Sequence, residues 1–502
     1  MIIGIYHNII EEGLLVAENK YKYQMYGELQ RSIGKIYEEA KEAADEIGIP
    51  TELRGKFGLT GAISGCPAPL RADILAAAKR STQVIPLAQL VEEIREIVKD
   101  VYGDGYDAAP INTCEAGLWV SYDCLFSPPL QGRGDNYRAR YLAPYERHMH
   151  HQAGYGRPFP AKYKDLLADR GSTAGEMGFY GKRLNNLDVV IVPLAGAKYE
   201  NHGIKYWPVP LLTGVDPEAS QQELFRTANR HGEVLTGITS LGYDTPGYGY
   251  GVKDEDGIPK LLKYMAQLAR EYNIPYVIDN AWGVPFIGTD IAKIGADVMV
   301  YSMDKASGSA TSGLIIGKEE VMTTIRRALG IHGDRWGTLS SYGKAAYVTN
   351  DPGKDALLAQ IAALKALRDR PEVLTRPIAR LYEIVQEEFA QAPALLTEGT
   401  IISKSYNSLA VEINYESTWK GKGLGFPIFS IEDMYAGSNI LQTGLSQMGI
   451  IPTIAYDGNI FISLGLGTTD GDGELLEGPI RKAIKGLLRL MEIVGRYSGF
   501  LD

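Results

Sequence analysis

The sequence predicts an α/β protein, with a mainly parallel sheet carrying helices on both faces and a smaller C-terminal α+β domain. Three observations predict this fold class. Short apolar runs alternate with amphipathic helical segments between residues 188 and 328. Several of these runs end in polar residues, as parallel strands do at the edge of a sheet that binds ligands. After residue 350, two helical segments precede a set of short strands.

The length and composition predict a multidomain globular protein. The chain has 502 residues, of which 45% are hydrophobic and 22% charged, so it can bury more than one core. We place the units at 1–75 (an N-terminal helical segment), 76–350 (a large domain with an insertion around 128–187) and 351–502 (a small α+β domain). No apolar stretch reaches the length of a bilayer span, and the first residues lack the pattern of a secretory signal.

The charge and the cysteine content indicate which cellular compartment and which kinds of binding partner to expect. Three cysteines without metal-ligand spacing fit a reducing compartment, so we expect a cytoplasmic protein with no membrane partner. The net charge of −10 gives no bulk attraction to nucleic acid, which we therefore do not expect as a partner. A tRNA-linked substrate stays a minority interpretation.

Periodicity assigns the individual elements. Apolar residues recur at helical spacing among charged ones in seven segments: 22–48, 87–101, 115–127, 258–272, 318–328, 354–369 and 373–391. Apolar, β-branched runs bounded by turn residues predict ten strands: 188–194, 206–212, 234–240, 275–279, 296–301, 313–317, 399–403, 407–413, 450–455 and 459–464.

Two consecutive strands end in reactive side chains. Asp279 follows Tyr276-Val277-Ile278, and Lys305 lies 305 − 279 = 26 residues later, just beyond the next strand. Parallel strands would bring both to one sheet edge. A lysine that forms a Schiff base and an acid that keeps a pyridinium nitrogen protonated are what pyridoxal phosphate (PLP) requires. Taken singly, the acid is equally a helix N-cap and the lysine a surface group.

A phosphate site is predicted at the start of a helix. Thr113, Cys114 and Glu115 open the helical segment that runs to Phe126. Backbone amides at a helix N-terminus, with a hydroxyl beside them, bind anions. Ser302, three residues before the lysine, is a second phosphate candidate. The alternative for the first segment is plain N-capping by Thr113.

Three further residues are candidates for contact with the cofactor ring. His202 would stack on one face, although a loop histidine bonded to backbone is an alternative. Ala281 is small enough to lie against the opposite face. Ser240, or Thr239 beside it, would reach the ring oxygen.

The polar and aromatic stretch before residue 188 holds the candidate substrate-binding residues. They are Arg147, His148, His150 and His151. A histidine here would serve as an acid for a leaving group or as a phosphate contact, and a solvated loop is the alternative. The histidines lack a nearby carboxylate pattern, so we predict no metal site.

The order of these motifs resembles that of fold-type I PLP enzymes, the aspartate aminotransferase superfamily. Residues 272–284, Ser302 to Lys305 and 313–317 are similar to the selenocysteine synthase and selenium transferase group, whose relatives include ammonia lyases. The resemblance implies PLP as cofactor and a homodimer or larger homo-oligomer.

The same resemblance leaves the substrate open. Many members bind the substrate carboxylate through an arginine on a C-terminal strand, but the matching strand here carries Phe461. Candidates for a replacement cation are Arg133, Arg138, Arg140 and Arg147. We expect a small amino-bearing substrate that forms an external aldimine and an α-carbanion, followed by β-elimination or β-replacement. The alternatives are an aminotransferase and a cofactor-free α/β binding protein.

Overall fold

The computed structural model describes eleven stretches of the chain, namely 22–59, 62–63, 66–126, 140–145, 205–210, 217–232, 235–246, 250–330, 350–415, 440–456 and 459–498. Some predictions lie outside these residues. They are the strand at 188–194, the site candidates Arg147, His148, His150, His151 and His202, and the cation candidates Arg133 and Arg138.

The described α-helices, in chain order, are α1 (Lys22–Glu46), α2 (Ala72–Lys79), α3 (Leu87–Tyr102), α4 (Cys114–Phe126), α5 (Pro217–His231), α6 (Lys260–Glu271), α7 (Ile291–Ile294), α8 (Glu319–Leu329), α9 (Lys354–Asp369), α10 (Glu372–Gln391), α11 (Ala394–Thr397), α12 (Ile440–Gln447) and α13 (Glu477–Tyr497).

The described strands are β1 (Phe57–Gly58), β2 (Ala62–Ile63), β3 (Cys66–Pro67), β4 (Tyr106–Ile111), β5 (Arg140–Tyr145), β6 (Lys205–Pro210), β7 (Leu235–Leu241), β8 (Tyr276–Asn280), β9 (Val298–Ser302), β10 (Gly313–Lys318), β11 (Ile401–Ser405), β12 (Ala410–Asn414), β13 (Ile450–Ile451), β14 (Ile454–Tyr456) and β15 (Asn459–Ser463).

The large sheet has seven strands in the order β4-β10-β9-β8-β7-β5-β6. From β9 through β8, β7 and β5 to β6, each adjacent pair of strands is parallel. Strand β10 is antiparallel to both β4 and β9. The predicted fold class, a mainly parallel sheet with helices, is confirmed.

The strand register brings the predicted site segments to one edge of this sheet. Asp279 at the end of β8 pairs with Leu241 of β7 and with Val300 of β9. At the end of β9, Ser302 pairs with Gly313, the first residue of β10. The carboxyl ends of β7, β8 and β9 therefore lie side by side, which is where open α/β sheets bind ligands.

Helix α4 packs closely on the sheet because small residues stand at the contact. A Cβ added at Gly117 would lie 2.8 Å from Val300 Cγ1. A Cβ added at Gly237 would lie 2.0 Å from the Phe126 ring. These contacts hold the first turn and the last residue of α4 close against the sheet.

The C-terminal part contains a second, antiparallel sheet in the order β11-β12-β15-β14. Its apolar core also includes Leu29 and Ile36 of α1, next to Ile484 and Leu487 of α13. Helix α1 packs on α12 and α13, and β1 pairs in parallel with β13. The N-terminal segment therefore shares the core of the C-terminal part, while the domain boundaries stay a prediction.

Several elements extend beyond the sequence prediction. Helices α5, α12 and α13 were not predicted, although α13 buries Ile480, Ile484 and Leu487 at helical spacing. Strand β5 lies inside the predicted insertion and joins the large sheet between β6 and β7. None of the described helices is long and apolar enough to cross a membrane.

Candidate active site

Asp279 is held rigidly at the end of β8. The residue is 2% exposed, and its Oδ1 atom accepts a hydrogen bond of 3.2 Å from the Ala281 amide. Its carbonyl oxygen accepts from the Gly242 amide at 3.1 Å. A buried carboxylate in this position has its orientation fixed by the turn that follows the strand.

Lys305 lies in the tight loop that connects β9 to β10. The Met303 amide donates to the Ser312 carbonyl at 2.9 Å, and the Ser309 amide donates to the Met303 carbonyl at 2.7 Å. Within the loop, the Gly308 amide donates to the Lys305 carbonyl at 2.9 Å, with a left-handed φ of 65° at Gly308. The lysine is half-buried, and its Nζ atom lies 5.9 Å from the centroid of the Trp282 ring.

Asp279 and Lys305 line the same cavity. We call it the Asp279 cavity, and its lining residues are Leu241, Gly242, Tyr243, Asp279, Asn280, Ala281, Trp282, Lys305, Asn407 and Ser408. The structure thus brings together three residues that were singled out from separate positions in the sequence: Asp279, Ala281 and Lys305.

Lys305 also faces a second cavity, which we call the Arg71 cavity. Its lining residues are Ala68, Pro69, Arg71, Lys305, Ala306, Gly308, Val373, Leu374, Pro377, Ile378, Leu409, Ser463, Leu464, Gly465, Thr469 and Gly473. Lys305 is the residue that the two cavities share. Sequence reasoning did not connect Arg71 with Lys305, because 234 positions (305 − 71) separate them.

Asn407 connects the small sheet to the Asp279 cavity. Its side chain and that of Asn280 form two reciprocal amide hydrogen bonds of 3.0 and 2.8 Å. Its Nδ2 atom also donates to the Gly242 carbonyl at 2.6 Å, and its Oδ1 atom accepts from the Thr289 amide at 2.9 Å. Sequence reasoning missed this residue because it was assigned to a strand, whereas it lies in the turn before β12.

An aromatic cluster joins the two sheets beside the site. Phe461 of β15 stacks on Tyr243, with ring centroids 6.2 Å apart, and lies 5.3 Å from the Trp282 ring. Phe461 is 6% exposed. The strand on which an arginine was considered therefore supplies an apolar ring at this point.

The predicted phosphate segment lies at the same sheet edge. A Cβ added at Gly313 would lie 2.6 Å from the Thr113 carbonyl carbon, so the start of α4 abuts the start of β10. Thr113 Oγ1 accepts from the Ala116 amide at 3.1 Å, the N-capping contact considered as the alternative. Cys114 is buried and Glu115 exposed. The Ser302 hydroxyl donates to Asp304 Oδ1 at 2.5 Å.

Ser240 and Thr239 point to opposite faces of the sheet. Leu241 pairs with Asp279, so alternation places Thr239 and Leu241 on the Asp279 side and Ser240 on the other. The Ser240 hydroxyl lies 2.6 Å from the Tyr276 hydroxyl. Of the two candidates for the ring oxygen, Thr239 is therefore on the Asp279 side.

The hydroxyl of Thr239 contacts Tyr122 at 2.7 Å. Burial raises the pKa of Tyr122 well above its usual value, and the nearby Asp279 charge adds to the effect. Tyr122 therefore stays a neutral phenol beside Asp279 at physiological pH. Among the described residues, no cluster of His, Cys, Asp and Glu is arranged to hold a metal ion.

Comparisons with known proteins agree with this geometry. The class-V aminotransferase family profile matches residues 250–342, the segment that holds both Asp279 and Lys305. The resemblance to fold-type I PLP enzymes that the sequence motifs predicted is confirmed. No curated protein matches the chain.

Solved structures are similar to this chain at low sequence identity. A chain of the SepCysS–SepCysE N-terminal domain complex is 11% identical with a TM-score of 0.51, over 89% of this chain and 97% of that chain. Alanine aminotransferase from Pyrococcus furiosus is 12% identical with a TM-score of 0.48, over 92% and 96%. D-Glucosaminate-6-phosphate ammonia-lyase is 13% identical with a TM-score of 0.42, over 85% and 92%.

The residues present fit PLP, the cofactor of class-V aminotransferases, and the cofactor prediction is confirmed at this level. A lysine amine and a buried carboxylate line one cavity, and a helix N-terminus abuts the same sheet edge. The amine, the carboxylate and the helix N-terminus suit, in that order, the carbonyl group, the ring nitrogen and the phosphate of PLP. The comparisons support an enzyme of the PLP-dependent, aminotransferase-like class.

Proposed function

We propose that this protein is a PLP-dependent enzyme that acts on a small amino-bearing substrate by β-elimination or β-replacement. One observation carries the proposal: Lys305 lines both the Asp279 cavity and the Arg71 cavity. A residue at this junction touches a cofactor on one side and a substrate on the other.

The residues of the Asp279 cavity have separate roles. When bound, PLP supplies an electron sink for charge that develops beside the substrate amine. Asp279 holds a proton on the ring nitrogen, and its fixed orientation supports this role. Lys305 would anchor the cofactor, and its Nζ atom, once the substrate amine has displaced it, would be free to accept a proton from the substrate α-carbon. Ala281 and Trp282 supply apolar surface that excludes water from these groups.

Two arguments favour elimination or replacement. The segment from Ser302 to Lys305 resembles the selenium transferase group and its ammonia-lyase relatives. In addition, Phe461 packs on Tyr243 and Trp282, so β15 offers an apolar ring near the cavity. Transamination is the second candidate, and the match of residues 250–342 to the class-V aminotransferase profile supports the PLP class without separating the two reactions.

The first experiment tests the cofactor. The purified full-length chain is mixed with PLP, and its absorbance near the visible edge is compared with that of Lys305→Ala. We expect the wild type to show the band of a lysine-bound cofactor and the variant to lack it. Lys293→Ala, an exposed lysine at the end of α7, is the matched control and keeps the band. A wild type without a band would contradict the proposal.

The second experiment separates the two reactions. Amino substrates are supplied without any keto acid, and released ammonia and keto acid are measured. Release under these conditions supports elimination. Strict dependence on an added keto acid would replace this proposal with transamination.

The assembly and location stay predictions. We propose a homodimer or larger homo-oligomer in the cytoplasm. We also propose that His202 stacks on the cofactor ring and that Arg147, His148, His150 and His151 contact the substrate. Sedimentation of the purified chain tests the assembly.

A further inference from the structure

The Arg71 cavity has the chemistry of a site for an anionic group. Among its described lining residues, the cations are Arg71 and Lys305, and none is a carboxylate. Arg71 is only 9% exposed. A nearly buried arginine in a cavity without an acid on its walls favours a ligand that brings the negative charge itself.

The backbone and stem of Arg71 are fixed by the segment that follows β15. The amide of Ala72 donates to the Gly471 carbonyl at 3.2 Å. A Cβ added at Gly473 would lie 3.3 Å from Arg71 Cδ, and Gly473 has a left-handed φ of 90°. The arginine is therefore held in place by close backbone contact, so less side-chain entropy is lost when it binds a ligand.

One edge of the guanidinium is held by Asp73, and the other faces the lysine loop. Arg71 Nε lies 3.3 Å from Asp73 Oδ1, and Nη2 lies 3.4 Å from Oδ2. The Nη1 atom lies 3.9 Å from where a Cβ of Gly308 would be, three residues after Lys305. The fork is thereby oriented toward the loop that carries the reactive amine.

The ion pair with Asp73 does not neutralise the site. Asp73 also accepts from Arg370 Nη2 at 3.1 Å, so two arginines share one carboxylate. These three side chains carry a net charge of +2 − 1 = +1. This surplus charge favours an anion at Arg71.

Apart from Ser463 and Thr469, the remaining side chains of the cavity wall are apolar. The start of α10 contributes Val373, Leu374, Pro377 and Ile378, and the segment after β15 contributes Leu464. A ligand between Arg71 and Lys305 would lie along these side chains and bury apolar surface against them.

We infer that Arg71 binds an anionic group of the substrate, a carboxylate or a phosphate, while the substrate amine faces Lys305 and an apolar portion lies against α10. This assignment rests on the proposed function for the direction of the amine. It gives Arg71 the role of specificity residue, supplied from the segment before α2.

The test uses probes that cannot react with the cofactor. The PLP-loaded full-length chain is titrated by calorimetry with isocaproate, which has an apolar chain and a carboxylate but no amine. Inorganic phosphate is titrated separately. We expect Arg71→Gln to weaken one or both by roughly tenfold or more, as for a lost charge-assisted hydrogen bond. Arg71→Lys, which keeps the charge but loses the fork, is expected to give a smaller loss.

A matched variant controls for net charge. Arg376→Gln removes a cation from α10 that pairs with Glu474 and does not line the cavity, and it is expected to bind as the wild type does. Loss of isocaproate binding alone identifies a carboxylate substrate, and loss of phosphate binding alone identifies a phosphorylated one. Equal binding by wild type and both Arg71 variants, or no binding of either probe by the wild type, would overturn the assignment.

The outcome is separable from that of the proposed function. If the wild type lacks the absorbance band but binds isocaproate through Arg71, the anion site is supported and the proposal of a PLP enzyme is contradicted. If the wild type shows the band but the Arg71 variants bind both probes as the wild type does, the PLP enzyme is supported and the assignment of Arg71 is contradicted.

Discussion

The two cavities that meet at Lys305 are built in different ways. The Asp279 cavity takes most of its walls from the ends of neighbouring strands, at 241–243 and 279–282. The Arg71 cavity combines segments from the N-terminal, central and C-terminal parts of the chain, with α10 as its apolar wall. A site for a shared cofactor can be local to one sheet edge, whereas a site for a particular substrate is assembled across the molecule. Substitutions in the Asp279 cavity should therefore affect cofactor-dependent turnover, and substitutions in the Arg71 cavity should affect substrate binding.

Removal of Asp279 is expected to have the largest effect. Asp279→Ala deletes the carboxylate in its cavity, so PLP-dependent turnover should fall by roughly 100-fold or more, the usual cost of one preorganised electrostatic group. Binding of isocaproate in the other cavity should stay within about threefold of wild type. Steady-state kinetics measures the loss of turnover, and calorimetry measures the binding of isocaproate.

Asp290→Ala is the matched control. That carboxylate also accepts backbone amide hydrogen bonds, from Ala292 and Lys293, but it does not line the Asp279 cavity. Equal loss of turnover in both variants would show that Asp279 acts only through the fold.

Loss of the Asn407 amide should destabilise the contact between the sheets. Asn407→Ala removes one hydrogen bond each from the Gly242 carbonyl and the Thr289 amide and both amide bonds to Asn280, while the Gly242 carbonyl keeps its bond from the Thr289 hydroxyl. We expect a decrease of about 2 kcal/mol in the free energy of unfolding, together with weaker PLP binding. Urea unfolding and a cofactor titration measure the two quantities.

The neighbouring Ser408 is the reference for this prediction. Its hydroxyl contacts only Ser405 among the described partners, so Ser408→Ala should cost less than about 1 kcal/mol. A cost as large as that of Asn407→Ala would argue against a special role for the amide pair.

The smallest expected effect is a pH dependence at Asp244. Burial raises the pKa of this carboxyl above its usual value, although Lys253 and the Ser405 hydroxyl lower it in part. In the window between the unfolded and folded pKa values, the folded state binds the proton more tightly. The contribution of Asp244 to stability therefore falls as pH rises through the folded pKa, and it recovers as pH falls.

Asp244→Asn removes this titration. The wild type should be more stable relative to the variant near pH ~4 than near pH ~8, as measured by urea unfolding across that range. A stability difference that grows with pH would reverse the sign argued here.

The sequence predicted the large sheet more completely than the rest of the fold. The strands ending at Asp279 and before Lys305 are clear because fully buried parallel strands are continuous apolar runs. Helices α9 and α10 match their predicted ranges within one residue. Helix α13 was not predicted although its apolar spacing is visible, and β5 was hidden in a polar stretch because edge-proximal strands need no continuous apolar run.

Some residues of the candidate site could likewise be assigned from the sequence, whereas others required the tertiary structure. Ala281 was assigned from its distance to Asp279 along the chain, and local alternation suffices for that. The choice between Thr239 and Ser240 required the register of β7 against β8, because a shift of one residue reverses which side chain faces Asp279.

By itself, the sequence determined the cofactor chemistry: an acid and a lysine, each at the end of its own strand, define a reactive pair wherever parallel strands are adjacent. Only the tertiary structure decided what surrounds that pair. Asn407 lines the Asp279 cavity, Phe461 packs on Trp282 beside it, and Arg71 lines the second cavity, all through packing between distant segments. The physical reason is that strand periodicity encodes which face a residue takes, whereas the meeting of segments far apart in the chain depends on the burial of the whole core.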